Sequence, residues 1–369
     1  MFEKIWKKIL RRDRLSLWAI PAFLLWLCSL LYRVLIRLRQ SNAVPIVRLD
    51  IPVISVGNIT VGGSGKTPIV ELLARFFLNE GKRVGIISSG YDRSVETSFV
   101  EPGYKVQQRP TDETGDEVKL LARLLPEAVF SVDRSKAAAA QRLAEMSAVD
   151  LAIVDDGFQH TPLARDVDIV TYDAAVDENM LRLFPYGVLR EPMSSLQRAD
   201  IIIITRAKFT QRLKYLEKEL RGINPQAWIY SARFEATELI GHDRRRPVKY
   251  LEDKSVFLFA GVGNFRPLKQ QVVALCTDLD FALELSDHQR YDRRLLKKIK
   301  SMAEKFDSDV IITTGKDWVK LGDFDFGREI YYLSQSVDLD PGEEKLIAEL
   351  QRMLELKRKF HKWSGSTTF

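Results

Sequence analysis

At 369 residues, with 46% hydrophobic and 29% charged side chains, the chain is long enough for two lobes and falls outside the disordered and collagen-like classes. Its net charge of +6 is concentrated: residues 1–50 carry ten Lys/Arg against three Asp/Glu, while the other 319 carry 46 against 47. That distribution argues against a nucleic-acid groove over the body and for a basic arm facing an anionic surface. The two cysteines, Cys28 and Cys276, lie far apart and fit neither a disulfide framework nor a zinc site, so a reducing cytosolic setting is expected.

The first predicted element is apolar. From Leu15 to Tyr32 the chain carries no charge, with basic residues on both sides (Lys4, Lys7, Lys8, Arg11, Arg12 and Arg14 before; Arg33, Arg37 and Arg39 after). No small-residue cleavage site follows and the apolar run continues into RVLIRLR, which argues against a cleaved signal peptide. Trp18, Trp26 and Tyr32 favour the headgroup zone, and Pro21 interrupts an ideal span. A helix lying in the cytoplasmic leaflet is the favoured reading, with a true span and a buried core helix as alternatives.

After residue 43, short β-branched runs at 51–57, 83–89, 151–157, 167–173 and 200–206 alternate with helical stretches such as TPIVELLARFFLNEG and RSKAAAAQRLAEM. Continuous apolar strands separated by helices predict a mainly parallel sheet in an α/β fold. Residues 227–250 read as one or two short strands in a linker, with Arg244-Arg245-Arg246 as a solvated turn. A second alternating set then runs through 255–265, a helix near 267–276, 281–285, a basic helix at 293–306 and 309–315, before a charged amphipathic C-terminal helix. The expected organisation is a membrane-associated helix (1–40), a P-loop lobe (41–226), a β linker (227–250) and a second α/β lobe (251–369).

The first strand runs into VGNITVGGSGKTP. A phosphate-binding loop needs inward-turned backbone N–H groups, a lysine for the phosphates and a hydroxyl for magnesium. Gly62, Gly63, Ser64 and Gly65 supply the turn, Lys66 the cation and Thr67 the hydroxyl, although Thr60 stands where the usual pattern has its first glycine. The run LAIVDDG places Asp155 and Asp156 at a glycine-terminated strand end, where a nucleotide enzyme keeps its metal-binding acid. Loop and acids together predict ATP with Mg2+.

The segments VGNITVGGSGKTP, TGDEVKLLAR, DDGFQHTPLARDVDIVTYDA, FPYGVLREP, SDHQRY and TTGKDWVKL occur in the order found in the tetraacyldisaccharide 4'-kinase family, which the chain resembles over nearly its whole length. The resemblance implies two α/β/α lobes joined by a short β linker. It also implies transfer of the ATP γ-phosphate to the 4'-hydroxyl of a tetraacylated glucosamine disaccharide 1-phosphate, the lipid A precursor, on the cytoplasmic face of the bacterial inner membrane. By the same resemblance Asp116 is the catalytic base and His288 its partner, in a site assembled from both lobes. Glu117 and Asp156 share magnesium with Thr67, and Asp155 orients a metal-bound water. Arg190 suits a bidentate grip on phosphate or a structural ion pair, and Arg134 is a weaker candidate of the same kind. His160 and Gln159 either reach the phosphates or stabilise the turn, and Tyr91 lies against the glucosamine or acyl chains. Three departures stand out: SSGYD for the family's SRGYG, Gln289 for the second histidine of DHH, and Gly315 for the acid of TTEKD. The competing readings are a P-loop kinase of a soluble acceptor and a membrane-tethered nucleotide switch or ATPase that transfers nothing.

Overall fold

The computed structural model describes Trp6, Ile9, Leu10 and residues 18–41, 45–206 and 212–365. Its strands in chain order are β1 (Val53–Asn58), β2 (Val84–Ser88), β3 (Phe99–Pro102), β4 (Val129–Val132), β5 (Leu151–Asp155), β6 (Val167–Asp173), β7 (Ile201–Thr205), β8 (Trp228–Ile240), β9 (Arg245–Pro247), β10 (Ser255–Ala260), β11 (Asp278–Glu284), β12 (Val310–Thr313) and β13 (Glu329–Asp340). The described residues fall into two compact units. One is drawn from Met1–Lys66, Leu151–Arg233 and Leu339–Phe369, the other from Thr67–Asp150 and Phe234–Asp338.

In the first unit, parallel pairings set the order β8–β7–β6–β1–β5, with Val53 opposite Ala152, Ile54 opposite Val167 and Ile169 opposite Ile201. β1, β5, β6 and β7 are buried along their whole length. Their unbroken Val/Ile runs are what a parallel sheet covered on both faces requires. Helix Leu213–Ile223 lays Leu216 and Leu220 on a core of Phe158, Val170 and Ile202. The helix closes on Asn224, which is buried and fully used: Nδ2 donates to the carbonyls of Leu196 and Ala199 (both 2.9 Å), and Oδ1 accepts from the amides of Gln226 and Ala227 (both 3.1 Å). This one side chain fixes the turn at 192–199 against the helix.

The N-terminal helix runs Ala19–Ser41 and belongs to the same unit. The start of the expected run at Leu15, and Lys4, Lys7, Lys8, Arg11, Arg12 and Arg14, lie outside the described residues. Pro21 does not interrupt the helix; it sits in the first turn, where its missing N–H is not needed. Tyr32 and Ile36, one turn apart, pack on the core, and the Tyr32 hydroxyl donates to the Arg190 carbonyl (3.1 Å) while its ring meets Phe184 edge-on at 5.9 Å. Ile20, Phe23, Leu24, Leu31 and Leu35 are exposed. Residues Ala19–Leu38 are long and apolar enough to cross a membrane by length and composition, with mean hydropathy 2.0.

In the second unit β2 pairs parallel with β4 and β4 antiparallel with β3, while β11, β10, β12 and β13 form a parallel series. Helix Arg293–Lys305 turns Leu296, Ile299 and Ala303 inward against Phe257, Phe259 and Ile311, leaving its basic residues toward solvent. The arginine run is not a simple turn: Arg245 and Arg246 belong to β9, where Arg245 pairs with Ile240 of the long β8. Arg244 pairs with Glu329 (3.2 Å), and the Arg246 guanidinium lies 5.1 Å over the Tyr250 ring.

Asn224→Ala strands the Ala199 carbonyl and the Gln226 amide in a buried turn and takes one of two hydrogen bonds from the Leu196 carbonyl and the Ala227 amide. It is expected to cost about 2–4 kcal/mol, read as a lowered midpoint in a denaturant titration with an unchanged slope.

Candidate functional site

In the first unit, chemistry gathers at the carboxyl ends of β1, β5, β6 and β7, the edge where open parallel sheets bind ligands. Residues 59–65 leave β1 and return as helix Lys66–Asn79. Gly62 (φ +105°) and Gly65 (φ +81°) take backbone angles that favour glycine, and a Cβ on Gly62 would meet nothing within 4 Å. The loop is held from behind. Ser64 is buried, its Oγ hydrogen-bonds Thr171 Oγ1 (2.8 Å), and its carbonyl accepts from Thr205 Oγ1 (2.9 Å). The Gly63 carbonyl accepts from Arg206 (2.7 Å), and the Thr60 carbonyl from Asn58 Nδ2 (2.8 Å). With its carbonyls tied to strand ends, the loop keeps the amides of Gly62–Gly65 out of backbone bonds among the described residues. That geometry suits an anion. Thr60, in the place of the usual first glycine, is buried and bridges to Leu189, so it acts as a structural residue ahead of the turn.

Lys66 and Arg190 converge on one carboxylate. Lys66 Nζ lies 3.3 Å from Asp156 Oδ1, and an Arg190 N–H donates to Oδ2 at 2.8 Å. Two cations on one anion leave a surplus positive charge beside the loop, which phosphate would neutralise. Asp156 has φ +53°, a left-handed strain expected at functional positions. Arg190 is fixed through its own amide, which donates to the Ile59 carbonyl (2.7 Å). Of the residues beyond β5, Gln159 donates to the Asn58 carbonyl (2.7 Å), tying the turn to β1. The His160 amide donates to Gly157 and its carbonyl accepts from Arg165, while Asp155 is buried opposite Val56.

The second unit holds the other group of expected residues, with Asp116 and His288 in direct contact. Asp116 opens helix Asp116–Leu124 after Gly115, whose φ of 80° and ψ of 154° suit glycine alone. A Cβ on Gly115 would also lie 2.6 Å from the Tyr91 carbonyl. Asp116 is buried; Oδ2 lies 3.2 Å from His288 Nδ1 and 3.5 Å from Lys320 Nζ. Oδ1 is buried with no hydrogen-bond partner among the described residues. Burial alone would raise the Asp116 pKa, but the hydrogen bond from His288 and the charges of Lys316, His288 and Lys320 outweigh it and hold the carboxyl down at about 2. His288 moves the other way: its bond to Asp116 raises its pKa against the opposing effect of burial.

His288 also has φ +53°, and its ring meets Tyr91 edge-on at 5.4 Å. Tyr91 is exposed. A cavity of about 300 Å3 opens beside Asp116 and His288, lined also by Asp92, Thr111, Arg290 and Tyr291. Glu117 forms an ion pair with Lys316, and Arg134 sits on the surface paired with Glu96 (3.2 Å). Gln289, where the family has histidine, donates to the Arg290 carbonyl (2.7 Å) and leaves the Asp116–His288 contact intact.

Sequence reasoning missed Lys320 and the buried Asp317 behind it. Lys320 Nζ lies 3.3 Å from Asp317 Oδ1 and over the Tyr291 ring at 5.5 Å. Asp317 Oδ2 accepts from the Gly261 amide (3.0 Å) and the Thr314 hydroxyl (2.7 Å). The signal was present in TTGKDWVKL: Asp317 and Lys320 are three apart, about one helical turn, on either side of the apolar pair Trp318-Val319.

Among the described residues no group of three or more His, Cys, Asp or Glu side chains is placed to hold a metal ion. Magnesium bound to a nucleotide needs only one or two protein oxygens beside phosphate oxygens. The Thr67 hydroxyl and the Glu117 and Asp156 carboxylates are each oxygen donors of that kind; Asp156 holds Lys66 and Arg190, and Glu117 holds Lys316.

Sheet and phosphate loop define an α/β protein of the P-loop nucleotide-binding class. The sequence pattern of the tetraacyldisaccharide-1-P 4'-kinase family matches residues 21–355, and the chain belongs to that family. It is 35% identical over 332 residues to the tetraacyldisaccharide 4'-kinase of Halothermothrix orenii, covering 84% of this chain and 86% of that one. It is 36% identical over 323 residues to the enzyme of the same name from Pelobacter propionicus, covering 84% of each. The LpxK crystal structure from Aquifex aeolicus, in complex with ATP, superposes with a TM-score of 0.69 at 28% identity, covering 88% of this chain and 97% of that one.

Lys320→Met removes one of the charges that hold the Asp116 pKa down. The acid limb of the kcat–pH profile is expected to move measurably toward neutral, whereas Lys320→Arg should keep it near the wild-type position. Gly115→Ala forces a Cβ into a glycine-only backbone and against Tyr91. It is expected to cost about 1–3 kcal/mol or more, seen as a lower thermal midpoint.

Proposed function

We propose that the protein transfers the γ-phosphoryl group of ATP to the 4'-hydroxyl of a tetraacyldisaccharide 1-phosphate, giving lipid IVA in lipid A biosynthesis. The observation that carries this reading is the Asp116–His288 pair, which lines the cavity with a carboxylate and an imidazole in contact. Family membership supplies the substrate class.

Amides 62–65 and Lys66 hold the ATP phosphates, and Arg190 adds a second cation. Thr67, Glu117 and Asp156 would hold magnesium, which neutralises charge on the β- and γ-phosphates when bound. The Asp116 carboxylate accepts a hydrogen bond from the sugar hydroxyl and aims its oxygen. A carboxylate held at about 2 is a weak proton acceptor, so it takes the proton late, as the new O–P bond forms and the bridging bond to the β-phosphate breaks. His288 fixes the carboxylate's direction. Tyr91 offers an exposed ring for the glucosamine face. Asp155 and His160 support the turn behind Asp156. The body works on the cytoplasmic side, where ATP is found, with helix Ala19–Ser41 in the membrane. Its exposed face of Phe23, Leu24, Leu31 and Leu35 and the span-length apolar stretch support that placement.

The test supplies γ-labelled ATP, Mg2+ and the disaccharide 1-phosphate in detergent micelles and scores label on the lipid. Wild type should label the lipid and hydrolyse little ATP without it. Lys66→Ala and Asp116→Ala should each lose roughly 10²–10⁴-fold in kcat. Hydrolysis indifferent to the lipid, with no label transferred, would make the protein a tethered ATPase instead.

A further inference from the structure

Where helix Ala19–Ser41 docks on its own unit, a groove of about 480 Å3 opens, lined by Arg33, Arg37, Leu183, Ser194, Gln197 and Arg198. Its geometry follows from the helix. Tyr32 and Ile36 form the row that packs on the core, so Arg33 and Arg37 form the next row, about 100° further round, at the groove's rim. Both arginines are exposed, four residues apart, and neither makes an ion pair or hydrogen bond among the described residues. Arg198 differs: it pairs with Glu191 (2.6 Å) and stacks over Phe158 at 4.5 Å, which holds its guanidinium in place on the opposite wall. Ser194 and Gln197 add polar donors, and Asn224 fixes the turn that carries them.

Two like charges one turn apart repel unless an anion joins them. The groove therefore carries uncompensated positive charge, hydroxyl and amide donors, and an apolar wall that includes Leu183. It also lies at the charged end of an apolar helix. From Ala19 to Tyr32 there is no charge for about 20 Å of helix; Arg33 and Arg37 come next, at the depth where apolar chain gives way to headgroups.

We propose that this groove binds the phosphodiester headgroup of an anionic bilayer lipid, Arg33 and Arg37 closing on the phosphate against Arg198, and so fixes the height and rotation of the helix at the membrane surface. The inference rests on the reading that the helix lies in a membrane. It assigns the arginines to a lipid of the bilayer, not to the phosphoryl acceptor.

The full-length protein is tested by flotation with vesicles of phosphatidylcholine alone and with phosphatidylglycerol added. Arg33→Gln/Arg37→Gln is expected to weaken binding to phosphatidylglycerol vesicles by roughly 30-fold, from about a tenfold loss or less per arginine, and to leave binding to neutral vesicles unchanged. Ser194→Trp, which fills the groove and keeps every charge, should lose most of the same preference. Arg221→Gln/Lys345→Gln, with the same change in net charge elsewhere on the unit, should stay within about threefold of wild type. A Ser194→Trp protein that retains the full preference would replace the groove with a diffuse basic field and overturn the proposal. So would a rise in KM for the disaccharide 1-phosphate in neutral detergent on changing Arg33 and Arg37, which would give the groove to the acceptor's own phosphate. Failure of wild type to float with neutral vesicles counts against the helix lying in the membrane. The groove is still judged by whether phosphatidylglycerol binding depends on Arg33, Arg37 and an open Ser194.

Discussion

The hydrogen bond between Ser64 and Thr171 anchors what the first unit can do. A phosphate loop has to keep its amides unpaired, and an unpaired loop collapses unless its carbonyls are claimed elsewhere. Here Thr171 and Thr205, at the ends of β6 and β7, claim Ser64 from both its hydroxyl and its carbonyl, and Arg206 claims Gly63. The parallel sheet thus does more than support the loop. Strand register brings Thr171 beside Asn58 and Thr205 beside Asp173, so the hydroxyls arrive at the loop because the sheet is in register.

Asp156 and Asp116 share a design. Each is a carboxylate between two cations, Lys66 and Arg190 for one, His288 and Lys320 for the other, and each group includes a non-glycine residue held at positive φ. At Asp116 the hydrogen bond and neighbouring charges hold the buried carboxyl down against the effect of burial. They also make the geometry stiff, because moving either acid strands two partners. The consequences differ. At Asp156 the partners are the groups that phosphate would recruit, so the anion serves as a placeholder. At Asp116 the cations lower basicity, which trades proton affinity for position.

Much of this was legible in the sequence because it is local. The glycine turn, Lys66, the paired acids at the end of β5 and the strand runs read at 151–157, 167–173 and 200–206 are contiguous patterns whose physics lies within a few residues. The ambiguity over Gln159 and Arg190 could not be resolved that way. Gln159 makes its contact 101 positions away and Arg190 makes its contact 34 positions away, which no local periodicity encodes. Lys320 was missed for the same reason: it meets Asp116 across 204 positions. β3 and β4 are only four residues long, too short for a period to register. β13 switches from a continuously buried first half to a mixed second half, so neither strand template fits it. Arg245 and Arg246 read as a turn because charge is the usual mark of one, whereas an edge strand tolerates charge as protection.

The docking of the N-terminal helix has a practical side. Tyr32 and Ile36 cover Leu183 and Phe184, and the Tyr32 hydroxyl occupies the carbonyl of Arg190. Trimming the greasy leader to make the catalyst easier to handle would therefore uncover raw interior and loosen the peptide behind the arginine that grips Asp156. A shortened chain exchanges one sticky surface for another, and any drop in its turnover reports damage to the catalyst as well as the loss of the helix itself.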